Sequence, residues 1–304
     1  PTMKDRAMQA LYLLALEPIS ETTADKSSFG FRKHRSTKDA ISQCFLHLSP
    51  DYQCKWIMEG DIKGCFDHIS HKWLIDNIPM DKTMLKKWLK CGFVFNKQLF
   101  PTEEGTPQGG IISPTLANMT LDGLQGLLAK RFKAINTRKM YYNPKVYLVR
   151  YADDFIITCE NRETLENEIK LMVKEFLADR GLTLSEEKTK ITHIDDGFDF
   201  LGFNIRKYKG NLLITPSKDK VKKFYGKIKE IVERNKSAKQ EIFIRLLNPV
   251  IDGWGNYYRN CVASETFNKL DHMIVRKLWR WSFRRHPKKG KRWIKQRYFH
   301  SVDG

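Results

Sequence analysis

Two adjacent carboxylates, Asp153 and Asp154, stand inside the run Val146 to Cys159, VYLVRYADDFIITC. Apolar, β-branched and aromatic residues flank them on both sides, the pattern of a β-hairpin with the acids at its tip. Carboxylates side by side repel each other at pH 7, and a turn between buried strands needs positive charge to hold both. A divalent cation is the obvious source. Asp is also an ordinary turn former, so the pair alone decides nothing. A third carboxylate at the end of a neighbouring strand would.

The elements that must position these acids supply one. Lys55 to Ile62, KWIMEGDI, reads as a central strand that ends on Asp61. The compact turn Lys63 to Asp67 leads toward a helix capped by Ser70. Two short helices follow, near His71 to Asn77 and Lys82 to Lys90, and Phe93 to Phe100 is extended. A glycine-rich loop, Glu104 to Pro114, ends with Ser113 as N-cap and Pro114 as first helical residue of a helix reaching Arg131. After the acidic hairpin, Leu165, Ile169, Met172 and Phe176 mark a helix that stops at Gly181, and Lys190 to Ile194 is another strand. The order strand, helix, strand, strand, helix, strand is the ferredoxin-like βαββαβ arrangement of an α+β domain. Its first strand neighbours its hairpin, which brings Asp61 beside Asp153 and Asp154. Converging hard oxygen donors suit Mg²⁺, and two such ions activate a hydroxyl and stabilise a leaving pyrophosphate. The chemistry implied is nucleotidyl transfer.

Composition names the other reactant. The 304 residues carry 54 Lys and Arg against 35 Asp and Glu, a net charge of +19 in a chain that is 41% hydrophobic. A folded protein of that charge has an anionic partner, and nucleic acid leads because phosphate neutralisation supplies most sequence-independent affinity. The apolar runs are too short to span a bilayer, so no membrane is expected. Six scattered cysteines read as reduced packing residues of an interior compartment, cytoplasmic in a bacterium or organellar. The first element is a helix from Met3 to Ile19 with apolar positions Ala7, Leu11 and Leu14; its opening at Pro1 suggests further sequence upstream. Arg32, Lys33 and Arg35 precede a helix start at Ser36 with Asp39, where they either grip a phosphate backbone or form a solvated loop. From Pro216 the pattern turns all-helical. Three amphipathic helices are expected, the first presenting Lys222, Lys223 and Lys227, and the third bringing Arg284 and Arg285 among Trp279, Trp281 and, further on, Trp293.

Tyr151-Ala152-Asp153-Asp154 resembles the catalytic box of reverse transcriptases, and Asp61 with Phe66 five positions on resembles their first palm motif. Pro107-Gln108-Gly109, Gly181-Leu182-Thr183 with Glu187-Lys188-Thr189, and Phe200-Leu201-Gly202-Phe203 match later palm motifs in order. The nearest likeness is to group II intron-encoded reverse transcriptases, or maturases, which also share Phe29-Gly30-Phe31-Arg32 and Gly253-Trp254-Gly255-Asn256-Tyr257-Tyr258-Arg259. The resemblance spans about Pro1 to Phe299 and implies a right-hand polymerase: partial fingers over 1–54, a palm with finger insertions over 55–214, and a three-helix thumb with a basic tail over 215–304. It implies Asp61 and Asp153 as principal ligands of two Mg²⁺ ions, with the Ile62 carbonyl and Asp154 assisting. Phe66 would face the ribose 2′ position, Gln108 and Gly109 the nascent base pair, and Lys188 the triphosphate. Leu201 and Gly202 would hold the primer end. The implied partners are group II intron RNA, an RNA template with a DNA primer, and deoxynucleoside triphosphates.

Two readings compete with RNA-directed DNA synthesis joined to intron splicing. One is an RNA-binding splicing factor with vestigial polymerase activity, which the intact acidic triad disfavours; the other is a different bacterial reverse transcriptase, such as a retron type. A nucleotide cyclase on a similar fold is disfavoured by the Pro107-Gln108-Gly109 loop and the basic helices.

Overall fold

The computed structural model describes residues 2–50, 54–95, 98–106, 109–136 and 141–299, in two compact units: 1–201 with 207–212, and 202–206 with 213–304. The first unit opens with α1 (Met3–Thr23), started by a capping box between Thr2 and Asp5, and α2 (Thr37–Leu48), started by another between Ser36 and Asp39. The stripe Ala7, Leu11, Leu14 does not face the core: Leu11 and Leu14 are 61% and 68% exposed. A second helical stripe, Tyr12 and Leu16 flanked by Gln9 and Ser20, turns inward instead, with Tyr12 edge-on to Trp88 at 5.3 Å.

β1 (Trp56–Gly60) stops one residue before Asp61, and Lys63 to Asp67 is more than a turn, since α3 (Cys65–His68) forms there behind a left-handed Gly64. α4 (His71–Asn77) is capped by Ser70 and α5 (Lys82–Leu89) by Asp81. The extended run divides into β2 (Phe93–Phe95) and β3 (Gln98–Phe100), paired antiparallel. The helix expected to reach Arg131 is broken into α6 (Ser113–Leu121) and α7 (Leu124–Arg131). Ile112 takes the N-cap position, so Ser113 is already helical. The break falls where Asp122 turns extended to reach Arg150 and Gly123 takes φ 99°. β4 (Ile135–Asn136) pairs with β5 (Tyr141–Tyr142).

The acidic hairpin consists of β6 (Tyr147–Tyr151) and β7 (Asp154–Cys159). Behind it run α8 (Arg162–Thr164), a π-helical turn (Leu165–Ile169), α9 (Lys170–Ala178) and β8 (Lys190–His193). The sheet order is β6-β7-β1-β8, antiparallel throughout. β7 is buried along nearly its whole length, and Ile57, Met58, Leu148, Phe155 and Ile157 join Leu165, Ile169, Val173 and Leu177 in or beside the core. β9 (Phe198–Phe200), β10 (Phe203–Tyr208) and β11 (Asn211–Pro216) make a second sheet in the order β11-β10-β9.

Among its described residues the second unit holds four helices where three were expected. They are α10 (Lys218–Arg234), capped by Ser217, α11 (Gln240–Tyr258), α12 (Ser264–Arg285) and α13 (Lys291–Tyr298). Pro249 is carried inside α11 without ending it. Phe224, Ile228, Phe243, Leu247, Leu270, Ile274 and Trp281 form this unit's core, with Trp281 stacked on Phe243 at 4.5 Å. All six cysteines are free; Cys44, Cys54, Cys65 and Cys159 are buried and Cys91 is exposed. Among the described residues no helix is long and apolar enough to cross a membrane.

Candidate catalytic edge and nucleic-acid surface

Register alone brings the three acids to one sheet edge. Gly60 pairs with Phe155, so the next residue of β1's chain, Asp61, faces the start of β7 at Asp154. The approach is close: a Cβ on Gly60 would lie 2.2 Å from the Phe155 ring, which is why the position before the acid is glycine. The hairpin turn is Ala152-Asp153, one residue earlier than the sequence pattern gave, and Asp154 already begins β7. Ala152 takes φ 57°, the left-handed value that a two-residue hairpin turn demands. Asp154 is exposed and Asp153 half-buried beside it.

A second set of backbone bonds ties Asp61 to the segment before β8. Asp61 O accepts from Ser185 N at 2.8 Å, Lys63 N donates to Thr183 O at 2.9 Å, and Ile62 bridges Leu184. Lys188 is thereby held near the edge, and its Nζ lies 3.1 Å from Asp61 Oδ2. That ammonium is a monovalent cation standing at one carboxylate oxygen of the edge. The donors are carboxylate and carbonyl oxygens, which fit Mg²⁺ in kind. Among the described residues no three His, Cys, Asp or Glu side chains are gathered into a cage, so the acids share an edge without closing on one point. Cys65 sits behind them; burial, and next the charge of Asp153, push its thiol up to about 12.

Phe66 lies on α3, half-buried, its ring edge-on to Phe31 at 6.0 Å. The backbone beneath it anchors the glycine-rich loop: Thr106 N donates to Phe66 O at 2.7 Å and Gly105 N to Ile69 O at 2.7 Å. A Cβ at Gly105 would strike Asp67 O at 2.5 Å. Gln108 lies outside the described residues. Gly109 takes φ 82° with nothing within 4 Å of a Cβ placed there. Leu201 and Gly202 are the two left-handed residues, φ 52° and 85°, of the turn between β9 and β10, and Gly202 O accepts from Ser217 N at 2.9 Å and Tyr258 Oη at 3.0 Å.

The basic residues divide sharply. Arg32 was expected on the RNA surface, and the structure corrects this. Its side chain is 5% exposed, forks onto Glu21 at 2.7 and 2.6 Å, and donates to the carbonyls of Asp25 and Ser28. Arg35 bonds the carbonyls of Lys26 and Ser28, both at 2.9 Å, while Lys33 is exposed and paired with Glu17. In the second unit Lys222, Lys223, Lys227 and Arg284 are exposed. Arg285 is half-committed, bonding Ala238 O at 2.7 Å and lying over the Trp281 ring.

One buried cluster beside the acidic turn was missed. Arg150, on the inward face of β6 with Leu148, is 1% exposed and pairs with Asp122 at 2.5 Å. Burial pushes the Asp122 carboxyl up against the pull of Arg150, and burial likewise pushes the Arg150 guanidinium down against the pull of Asp122. The available signal was a lone arginine at an inward position of an apolar strand.

Comparison with known proteins follows the same division. Residues 1–205 match the family described as reverse transcriptase (RNA-dependent DNA polymerase). The chain belongs to the reverse transcriptase family. Residues 221–299 match the group II intron maturase-specific domain. Among relatives of this reverse transcriptase-family chain, Protein YkfC of Escherichia coli is 32% identical over 234 residues, covering 67% of the chain and 61% of that protein. The group II intron-encoded protein LtrA of Lactococcus lactis subsp. cremoris is 29% identical over 300 residues, covering 80% and 50%. The chain thus spans half to three-fifths of these relatives' length. A solved apo telomerase from Candida Tropicalis is 16% identical with TM-score 0.49, covering 90% of this chain and 54% of that one. Reverse transcriptase domains depend on divalent metal in general, and the oxygen donors at the edge agree with that.

Proposed function

We propose that this chain is the catalytic portion of an RNA-directed DNA polymerase encoded by a group II intron, which also binds intron RNA to assist splicing and retrohoming. The observation that carries the reading is the convergence of Asp61, Asp153 and Asp154 on one sheet edge in a reverse transcriptase-family chain. The corresponding architecture is a right-hand polymerase with partial fingers over 1–54, a ferredoxin-like palm over 55–214 and a helical thumb over 215–304. Asp61 and Asp153 hold two Mg²⁺ ions, with the Ile62 carbonyl and Asp154 assisting. Such ions, when bound, supply activation of the primer hydroxyl and charge stabilisation of the leaving pyrophosphate.

Lys188, freed from Asp61, meets the triphosphate of the incoming deoxynucleotide. Phe66 fills the volume that a ribose 2′-hydroxyl would need, Gln108 and Gly109 line the nascent pair, and the Leu201-Gly202 turn holds the primer end. Lys222, Lys223, Lys227 and Arg284 follow the RNA backbone, Lys33 and Arg35 with them. The RNA served is both template, with its DNA primer, and intron.

The deciding experiment is Asp153→Asn, assayed for primer extension on an RNA template and separately for RNA binding. Extension should fall at least about 100-fold with RNA affinity unchanged, since a charge aimed at the reacting phosphates is lost and the basic surface is not touched. Extension near the parental rate would show that the metal-site assignment is wrong. In the same assay, Phe66→Ala should admit ribonucleotides; a lowered melting temperature without that gain would make Phe66 a packing residue only.

A further inference from the structure

The turn that carries Asp153 is held in a conformation it would not choose. Ala152 sits at φ 57°, and the left-handed region costs an L-residue about 1–2 kcal/mol. Strain of this kind persists only where the surroundings over-determine it. Two contacts do so, and a third residue ties them together. Arg150 Nη1 donates to Ala152 O at 3.2 Å from inside the fold. Gly30 presses from the other side, so closely that a Cβ there would lie 2.4 Å from Ala152 N. Between them stands Asn118 on α6, 3% exposed: its Oδ1 accepts from Arg150 Nη1 at 3.2 Å and its Nδ2 donates to Gly30 O at 2.8 Å.

The chemistry of those two bonds specifies the side chain. One neighbour is a guanidinium, which can only donate, and the other a carbonyl, which can only accept. A carboxamide answers both; a carboxylate, an alkyl group or an ammonium cannot. The flanking backbone is fixed as well, since Phe29 N donates to Arg150 O and Arg150 N to Ser27 O, both at 2.9 Å. Gly30 and Arg150 are therefore two walls of one clamp, and Asn118 is the tie between them.

We propose that Asn118 is a positioning residue for the acidic turn: through Arg150 and Gly30 it holds Ala152-Asp153 where the Asp153 carboxylate can serve a divalent cation. The inference rests on the metal-site reading above and adds a residue that touches neither metal nor substrate. Loosening the tie removes none of the acids and degrades only their placement, so the effect falls on metal affinity, and RNA binding is spared.

The test is direct Mn²⁺ titration by electron paramagnetic resonance on the intact chain, with the metal dependence of primer extension, nucleotide KM and a thermal melt alongside. Asn118→Leu removes both bonds while keeping the branching and heavy-atom count of the side chain; Asn118→Asp keeps the acceptor toward Arg150 and loses the donor toward Gly30. Thr120→Val is the control, a fully buried position of the same helix whose hydroxyl donates to Leu116 O. Asn118→Leu should weaken Mn²⁺ binding and raise the metal half-saturation about 10-fold, equivalent to about 1.4 kcal/mol of lost placement. Asn118→Asp should shift less, Thr120→Val not at all, and nucleotide KM at saturating metal should stay within about 2-fold. A parental Mn²⁺ midpoint in Asn118→Leu, or an equal shift in Thr120→Val, overturns the inference. Asp153→Asn run in parallel separates the two levels: if it binds Mn²⁺ like the parent, the metal-site reading fails and this inference with it, whereas its loss of Mn²⁺ beside an unshifted Asn118→Leu sinks the Asn118 assignment alone.

Discussion

Arg150 and Arg32 of the first unit carry the same charge as Lys222, Lys223 and Lys227 of the second, and their surroundings are opposite. The two arginines lie at 1% and 5% exposure with every strong bond directed to the chain itself. The lysines stand in solvent on the outward face of α10, whose inward face is Phe224, Ile228 and Val232. A rigid planar fork can satisfy several carbonyls and a carboxylate at once, whereas an ammonium on a flexible stem suits a polyanion that moves. The lesson is that a surplus of positive charge need not all face the nucleic acid. Part of it is structural mortar around the acidic edge.

The largest effect expected from this contrast is at the buried pair. Arg150→Met strands Asp122 without its partner and should cost about 3–5 kcal/mol, while replacing both with apolar residues should restore much of the loss. Arg32→Gln should cost less, about 1–3 kcal/mol, because its fork to Glu21 is partly open to water. Denaturant melts read both. If Arg32→Gln instead leaves stability alone and weakens RNA binding, the inward assignment fails and the contrast with it.

The converse is expected on α10. Lys222→Gln, Lys223→Gln and Lys227→Gln together should change stability by no more than about 0.5 kcal/mol. They should flatten the slope of log RNA affinity against log salt by about 0.7–0.9 per lost phosphate contact. An unchanged slope would make that face merely solvated.

Glu186 gives the smallest effect and a pH signature. The Lys170 and then the Lys174 ammonium hold its carboxyl down at about 2, below its ordinary 4.5. A depressed carboxylate contributes stability that is complete above pH 4.5 and is lost as pH falls through about 2. The melting temperature of Glu186→Gln should therefore lie slightly below the parent at pH 6 and converge with it toward pH 2. A gap that persists at pH 2 would mean that something other than ionisation holds Glu186 in place.

Much of the edge was legible because period-two patterning and turn residues are local signals. The strand ending at Asp61, the hairpin and their adjacency could all be read from them, as could the caps at Ser36 and Ser70. The turn's register was off by one because Ala152, not Asp154, takes the positive φ, and Ala is a weak signal for that. The break after Leu121 was invisible: Asp122 leaves the helix for a partner 28 residues away, which no local pattern reports. The same holds for Arg32 and for the outward stripe of α1, where two apolar faces of one helix competed and tertiary packing chose. Asn118 reads as one polar residue in an apolar helix until Gly30 and Arg150 are placed on either side of it.

The cysteines of this fold have a consequence for its handling. Burial pushes the thiols of Cys54 and Cys261 up to about 11 and that of Cys65 to about 12, and raises those of Cys44 and Cys159 as well. Thiolates are the reactive species, and at neutral pH these five positions hold almost none. Cys91, exposed in the connection between α5 and β2, is left as the position that an alkylating reagent meets first. A maleimide dye or spin label offered to this chain should therefore react first at Cys91, in the first unit, ahead of the buried thiols.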